Sequence, residues 1–289
     1  MDREALSRRY WNAKVAKEKQ RDRNPEKRIH TDLVWLELEP FIQPDIRVID
    51  AGGGYGRYSI GLAQRGCLVT HLEFSERMLS EARRLIDREG LKTPDFVSGN
   101  IRDLSGFEDQ SFDLGIALDA PISYAYPAHG KALLELARVT RKTLVISVVN
   151  RFGQLPVVIE NELRWSSSLK YSKKFLETGD WDHPTVLENF ECRIPYFSRF
   201  IFPPFHAYAP RELVDEIIAT GFTIKRVAAT GTLARLLPRK TLLSILKKAE
   251  LYRHFLQMSF QYDAQIEALG VGAKSASGLL IVAERPEES

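Results

Sequence analysis

Cysteine is nearly absent: the 289 residues contain two, Cys67 and Cys192, and no Cys-x-x-Cys pair. That excludes a disulfide framework and a cysteine zinc ribbon, and makes a reducing, cytoplasmic setting the expectation. Long apolar runs are also missing. No stretch approaches the ~18 apolar residues of a membrane span. The opening Met1-Asp2-Arg3-Glu4 leads into a charged segment without a hydrophobic centre, so no secretory signal is expected. There is no internal repeat and no low-complexity tract. Net charge is only +3, too little to mark a nucleic-acid binder. What remains, 44% hydrophobic and 27% charged, is an ordinary globular composition. The length suits one large α/β domain or two small ones.

Charge is unevenly distributed. Residues 1–30 hold ten Lys/Arg against five Asp/Glu, which leaves the rest of the chain close to neutral. Such a segment either attracts a phosphate or carboxylate or is a solvated helix face. Residues 4–20 read as a polar helix and 31–42 as an amphipathic one. From Arg47 short apolar runs alternate with helical periods. Strands are expected near 48–50, 67–72, 96–97, 112–118 and 143–149, and helices at 55–65, 76–89 and 129–141. This alternation predicts parallel pairing in a doubly wound α/β sheet. Residues 151–205 break the rhythm, with Trp165, Trp181, Phe190, Tyr196, Phe197, Phe200, Phe202 and Phe205 among them. A helix over 210–220, a strand from Phe222, a long helix over 239–268 and a last strand at 278–283 follow. The simplest division is an N-terminal helical segment (1–43), a sheet core (44–150), a cap insertion (151–205) and a C-terminal part of the core (206–289) with a helical insertion at 231–275.

The chemistry concentrates in Val48-Ile49-Asp50-Ala51-Gly52-Gly53-Gly54-Tyr55-Gly56. A buried strand runs into glycines and then opens a helix. Glycine lets the backbone take positive φ and approach a ligand closely, and the helix start offers unpaired N–H groups. A dinucleotide fingerprint needs its third glycine at position 57. That residue is Arg57 and the glycine is Gly56, so the fingerprint fails. Glu73 ends the second strand about 20 residues on, where a carboxylate can accept bonds from both ribose hydroxyls. Asn100, after the third strand, can read a purine edge. Together these strand ends describe a nucleoside pocket with no evident pyrophosphate contact.

In these residues the sequence resembles the class I S-adenosylmethionine-dependent methyltransferases of the small-molecule group. Asp50-x-Gly52-x-Gly54-x-Gly56 is similar to that family's first motif. Glu73-Phe74-Ser75-x-x-Met78-Leu79, Phe96-Val97-Ser98-Gly99-Asn100 and Phe112-Asp113-Leu114-Gly115-Ile116 resemble the motifs of its next three strands. Ala219-Thr220-Gly221-Phe222 resembles a later helix-ending turn. The likeness covers about 45–150, 208–228 and 277–286. It implies a Rossmann-like seven-stranded sheet with helical and aromatic cap insertions, and S-adenosyl-L-methionine as cofactor, with S-adenosyl-L-homocysteine as product. It also implies roles. Gly52, Gly54 and Gly56 meet the methionine part, and Asp50 orders their turn. Glu73 binds the ribose, Phe74 packs on adenine, Asn100 and Ile101 flank the base, and Asp119 faces the methionine end and the substrate. Asparagine stands at 100 where the family usually has aspartate.

Methyl transfer from a sulfonium needs an acceptor brought close, aligned and kept from water. A hydroxyl acceptor gains from a general base. Asp119, His129 and His206 are the catalytic candidates, with Tyr124, Tyr126 and Tyr208 as substrate contacts. No metal is expected. Asp119 and Asn150 end adjacent strands, roughly as in the Mg²⁺-dependent catechol methyltransferases, but Val149-Asn150-Arg151 offers no second carboxylate. The 151–205 aromatics either wall an apolar substrate pocket or form the cap's own core. Arg193 and Arg199, with the basic N-terminal segment, leave room for an anionic substrate. The expectation is a methyltransferase acting on oxygen or nitrogen of a small molecule, with a homodimer possible. The alternatives are a nucleic-acid methyltransferase and a non-catalytic cofactor-binding regulatory partner. Asp119-Ala120-Pro121-Ile122-Ser123-Tyr124 is a poor match to the Asp/Asn-Pro-Pro-Tyr of the DNA enzymes.

Overall fold

The structure is a computed structural model. It describes residues 3–91, 94–164, 167–182, 203–268 and 278–286, the side chains of 266–268 excepted. Seven strands form its main sheet: β1 (Arg47–Ala51), β2 (Leu68–Glu73), β3 (Pro94–Ser98), β4 (Phe112–Ala117), β5 (Thr140–Val149), β8 (Thr223–Ala228) and β9 (Gly278–Glu284). Their order is β3-β2-β1-β4-β5-β9-β8. β9 runs antiparallel to both neighbours and the other pairs are parallel. The short strands β6 (Asp180–Trp181) and β7 (Phe205–His206) pair separately.

The strands are apolar on both sides because helices cover both faces. On one face Ile49, Ala117, Leu144, Ile146 and Val148 pack with Leu133, Leu136, Leu213 and Ile217. The last four lie on α6 (His129–Val139) and α9 (Pro210–Ala219). On the other face Val48, Val69, Leu114, Ile116 and Val145 meet Val34, Leu38, Tyr58 and Leu62. These come from α2 (Pro25–Leu38) and α3 (Arg57–Gln64). Burying each aliphatic side chain stabilises by about 1.5–3 kcal/mol.

Local signals set the helix ends. Asn24 caps α2, accepting the Glu26 N–H at 2.9 Å, with Pro25 in the first turn. Ser75 caps α4 (Glu76–Glu89), which stops at Gly90 with φ 62°. Three expectations change. The irregular 151–205 stretch contains two helices, α7 (Arg151–Leu163) and α8 (Lys170–Thr178). Four of its residues, Phe152, Leu163, Leu169 and Leu176, expose apolar side chains, which blurs any amphipathic period. The 239–268 helix is broken into α11 (Arg239–Leu246) and α12 (Ala249–Ala268), after a short α10 (Thr232–Leu236). The break lets Leu242 and Phe255 both pack on Ile29 and Leu33 of α2. A short α5 (Pro121–Tyr124) also follows β4 unannounced.

The first helix, α1 (Arg3–Lys19), lies along α4. Its Asn12 Oδ1 accepts from the Ser75 hydroxyl at 2.8 Å and from the Arg77 N–H at 3.2 Å. Arg3 Nε reaches Asp182 at 3.0 Å. Asn12→Ala removes one acceptor from two donors. It is expected to lower stability by about 1–2 kcal/mol, read as an earlier midpoint in urea unfolding.

Candidate functional site

The sheet order reverses between β1 and β4, and a crevice opens there at the carboxyl ends of the strands. A cavity of about 1120 Å³ occupies it. Its floor is the glycine turn. Gly52, Gly54 and Gly56 have φ of 81°, 58° and 91°, but Gly56, expected at the methionine part, does not line the cavity: a Cβ there would lie 3.1 Å from Ala82 Cβ. The Gly52 and Gly53 N–H groups donate to the Leu72 carbonyl at 2.7 and 3.1 Å, tying the turn to β2. A Cβ on Gly52 would lie 2.4 Å from Pro121 Cβ, whereas one on Gly54 would meet nothing within 4 Å. The bare side of Gly54 therefore faces open space, while Gly52 is closed by its neighbours. Gly53, which reads as simple turn material, sits equally tightly: a Cβ there would lie 2.5 Å from the His71 ring.

Asp50 lies under this turn and does not line the cavity. Its Oδ2 accepts from the Ser59 hydroxyl at 2.6 Å, and Ser59 Oγ lies 2.8 Å from His71 Nδ1. All three residues are buried. Burial pushes the Asp50 carboxyl up to about 6 and the His71 imidazole down to about 4. The network fastens the start of α3 to β1 and β2.

Glu73 ends β2 at the cavity wall. Its oxygens accept the Gly54 N–H at 2.9 Å and the Ser75 N–H at 2.7 Å. Burial nevertheless raises its carboxyl to about 7, more than the backbone donors lower it. Phe74, Asn100 and Ile101 line the same end, joined by Met78 and Gly99. Asn100 Oδ1 accepts from the Arg102 N–H and Nε, both at 3.1 Å. Asp103 stays off the cavity and accepts the Ser105 hydroxyl at 2.7 Å, a turn aspartate.

Asp119 follows β4 with φ 64°, and Ala120 has φ 74°. A non-glycine pair in the left-handed region is strained, and such strain concentrates at functional sites. The Asp119 N–H is held by Ser147 Oγ at 2.7 Å. Its carboxylate pairs with Arg21 and lies 3.4 Å from His30 Nε2. Burial alone would raise its pKa, but Arg21 and then His30 outweigh that and hold the group well below the usual carboxylate range. Burial lowers the His30 imidazole. Tyr124 and Tyr126 also line the cavity. Tyr124 packs edge-on to Trp11 at 5.0 Å.

His129, His206 and Tyr208, expected beside the acceptor, do not line the cavity. They stack behind it. The two imidazoles lie face to face at 4.0 Å, and Tyr208 is fully buried edge-on against both. His206 Nδ1 is 2.8 Å from Asp180 and its Nε2 is 3.2 Å from Glu212. Burial opposes its charge, but those carboxylates prevail and raise its pKa. His129 is driven down to about 4 by burial and by His206. Sequence position carried these residues to the right sheet edge, yet the side chains turn towards α9. Among the described residues His30 is the imidazole that reaches the cavity, and no sequence motif marks it.

The basic N-terminal segment proves to be a cavity wall. Arg21, Arg23 and Lys27 line it with Arg57, and Arg235 joins from α10. Trp181 belongs to a small core with Val158, Phe175 and Phe205, so this part of the insertion packs on itself. Phe205 also borders the cavity. Cys67 packs in the sheet core. Trp165, Phe190, Cys192, Arg193, Tyr196, Phe197, Arg199, Phe200 and Phe202 lie outside the described residues.

Residues 48–143 match a family model described as a methyltransferase domain. The magnesium-protoporphyrin O-methyltransferase of Rhodobacter capsulatus is 32% identical over 102 residues, covering 35% of this chain and 44% of that protein. The phosphatidylethanolamine N-methyltransferase of Cereibacter sphaeroides is 32% identical over 132 residues, covering 42% and 63%. The chain thus spans about half the length of the curated relatives it matches. Among solved structures, magnesium protoporphyrin IX methyltransferase from Synechocystis PCC 6803 with bound SAM superposes with a TM-score of 0.55 at 16% identity. That match covers 99% of this chain and 98% of the other. At that identity the likeness is one of fold.

Proposed function

We propose, from a chain whose residues 48–143 match a methyltransferase-domain family model, that this protein binds S-adenosyl-L-methionine in the cavity and transfers its methyl group to oxygen or nitrogen of a small molecule. The observation that carries the reading is Glu73. It is a buried carboxylate at the cavity wall, beside a glycine whose missing Cβ leaves the floor open. A carboxylate desolvated to this degree is stabilised by added donors, and a ribose diol supplies two.

The residues fit the cofactor along its length. Glu73 accepts the ribose hydroxyls. Phe74, Met78 and Ile101 enclose the adenine, and Asn100 meets its edge. Asp119, ionised throughout the neutral range, attracts the amino group of the methionine moiety. When bound, the cofactor supplies a methyl group already activated on a sulfonium sulfur.

The remaining work is positioning and exclusion of water. Helices α1 and α2 and the turn between them roof the site with Tyr10, Trp11, His30 and, from the turn, Arg21. His30, its imidazole lowered by burial and its Nε2 3.4 Å from Asp119, is the candidate to take up a proton from a hydroxyl acceptor. His129 and His206 lie off the cavity lining and are assigned no role in this reading.

The test is turnover with methyl-labelled cofactor against a panel of amines, phenols and carboxylic acids, with bulk RNA and DNA as separate arms. Label in the small-molecule fraction supports the reading. Label in nucleic acid contradicts the acceptor class. Cofactor binding with no label transferred in any arm contradicts the catalytic reading.

A further inference from the structure

Several cations line the cavity, some of them beside Asp119. Arg21, Lys27, Arg57 and Arg235 line it, with His30 between them. Two of these charges are matched inside the protein. Arg21 pairs with Asp119, and Arg57 Nη1 lies 2.6 Å from Asp22 Oδ1. The other two are not. Among the described residues no carboxylate comes within ion-pair distance of Lys27 or Arg235. Glu18 and Glu26 border the cavity but stay beyond that distance from Lys27.

Arg235 is the more telling. Its Nη2 donates to the Gly153 carbonyl at 3.2 Å, which fixes the guanidinium plane. Its Nη1 is buried with no acceptor. A desolvated guanidinium donor without an acceptor costs roughly 1–3 kcal/mol. Lys27 is on the same side. It lies one turn before His30 on α2, and His30 abuts Gly231, the cap of the helix that carries Arg235. Lys27 is exposed as a residue, yet desolvation at its ammonium, with Arg21 nearby, lowers its pKa. Two cations without a carboxylate partner therefore line one cavity, carried by the two elements that meet at His30 and Gly231.

We propose that the methyl acceptor carries a carboxylate or phosphate, and that Lys27 and Arg235 hold this anionic group in the cavity. The inference rests on the methyl-transfer reading above. The anion orients the acceptor and the two cations make its charge-assisted hydrogen bonds. A competing source of the same chemistry is the carboxylate of the cofactor's own methionine, and the experiment separates the two.

Protein saturated with S-adenosylhomocysteine is titrated with benzoate and, separately, with inorganic phosphate. Wild type is compared with Lys27→Met and with the Lys27→Met/Arg235→Met pair. The single variant, on a side chain open to the cavity, serves if the double variant does not fold. Wild type is expected to bind at least one probe at millimolar concentration. The variants should weaken that probe roughly ten- to hundredfold while S-adenosylhomocysteine affinity stays within about threefold. Preference between benzoate and phosphate assigns the anion. Unchanged probe affinity in the variants overturns the proposal, as does absence of probe binding to wild type. A loss that falls on S-adenosylhomocysteine also overturns it, by giving the cations to the cofactor. If wild type does not bind S-adenosylhomocysteine at all, the methyl-transfer reading fails first.

Discussion

Glu73→Ala is expected to weaken S-adenosylhomocysteine by about a hundredfold, two charge-assisted hydrogen bonds being lost from a desolvated site. The Gly54 and Ser75 N–H groups lose their acceptor in the same variant, so the turn slackens as well. Glu73→Gln keeps one acceptor oxygen and falls between. The charge also predicts a pH dependence. In the empty protein the Glu73 carboxyl is raised from its ordinary 4.5 to about 7 by burial. A raised carboxyl contributes stability that is present below about 4.5 and lost as pH rises through about 7. Ribose hydroxyls favour the ionised form, so binding expels a proton below that value. Affinity should therefore rise with pH, by up to about tenfold per unit, and level off above 7. Calorimetry at pH 5.5 and 7.5 reads this as a gap of roughly thirtyfold, abolished in Glu73→Gln. Affinity that falls with rising pH, or a gap that survives in Glu73→Gln, contradicts this role.

The second large effect separates two adjacent glycines. Gly53→Ala drives a methyl to within 2.5 Å of the His71 ring and 2.7 Å of Asp50 Oδ2. Both partners are buried and joined through Ser59, so neither can yield cheaply. A loss of about 3 kcal/mol in unfolding free energy is expected, the upper end of overpacking. Gly54→Ala meets no atom within 4 Å and has only its φ of 58° to accommodate. That strain costs about 1 kcal/mol. Its methyl projects into the ligand's space, so Gly54→Ala should lose cofactor affinity while remaining folded. Urea titration and calorimetry on both variants resolve the contrast. The account is wrong about the turn if Gly54→Ala unfolds and Gly53→Ala does not.

The glycine turn and the cavity-lining residues at the strand ends were legible because backbone geometry dictates them. A strand that must turn under a ligand needs glycine at positive φ, and Glu73, Asn100 and Asp119 each follow a strand recognisable by its apolar run. The cationic wall was not. Arg21 and His30 reach Asp119 from about ninety to a hundred residues away in sequence, and a charged helix reads alike whether it faces solvent or a cavity. His129 and His206 show the converse failure. Both lie at the correct edge of the sheet, but which way a side chain turns from a helix start or a short strand is decided by partners such as Asp180 and Glu212. The helices within 151–205 stayed hidden because Leu163, Leu169 and Leu176 keep apolar groups outward.

Titration of the wild-type protein with S-adenosylhomocysteine at pH 7.5, by calorimetry, tests the central claim most directly. The account predicts saturable one-to-one binding in the micromolar range, lost in Glu73→Ala and kept in Asn12→Ala. No heat and no thermal shift at millimolar ligand, from protein that unfolds cooperatively, would contradict it.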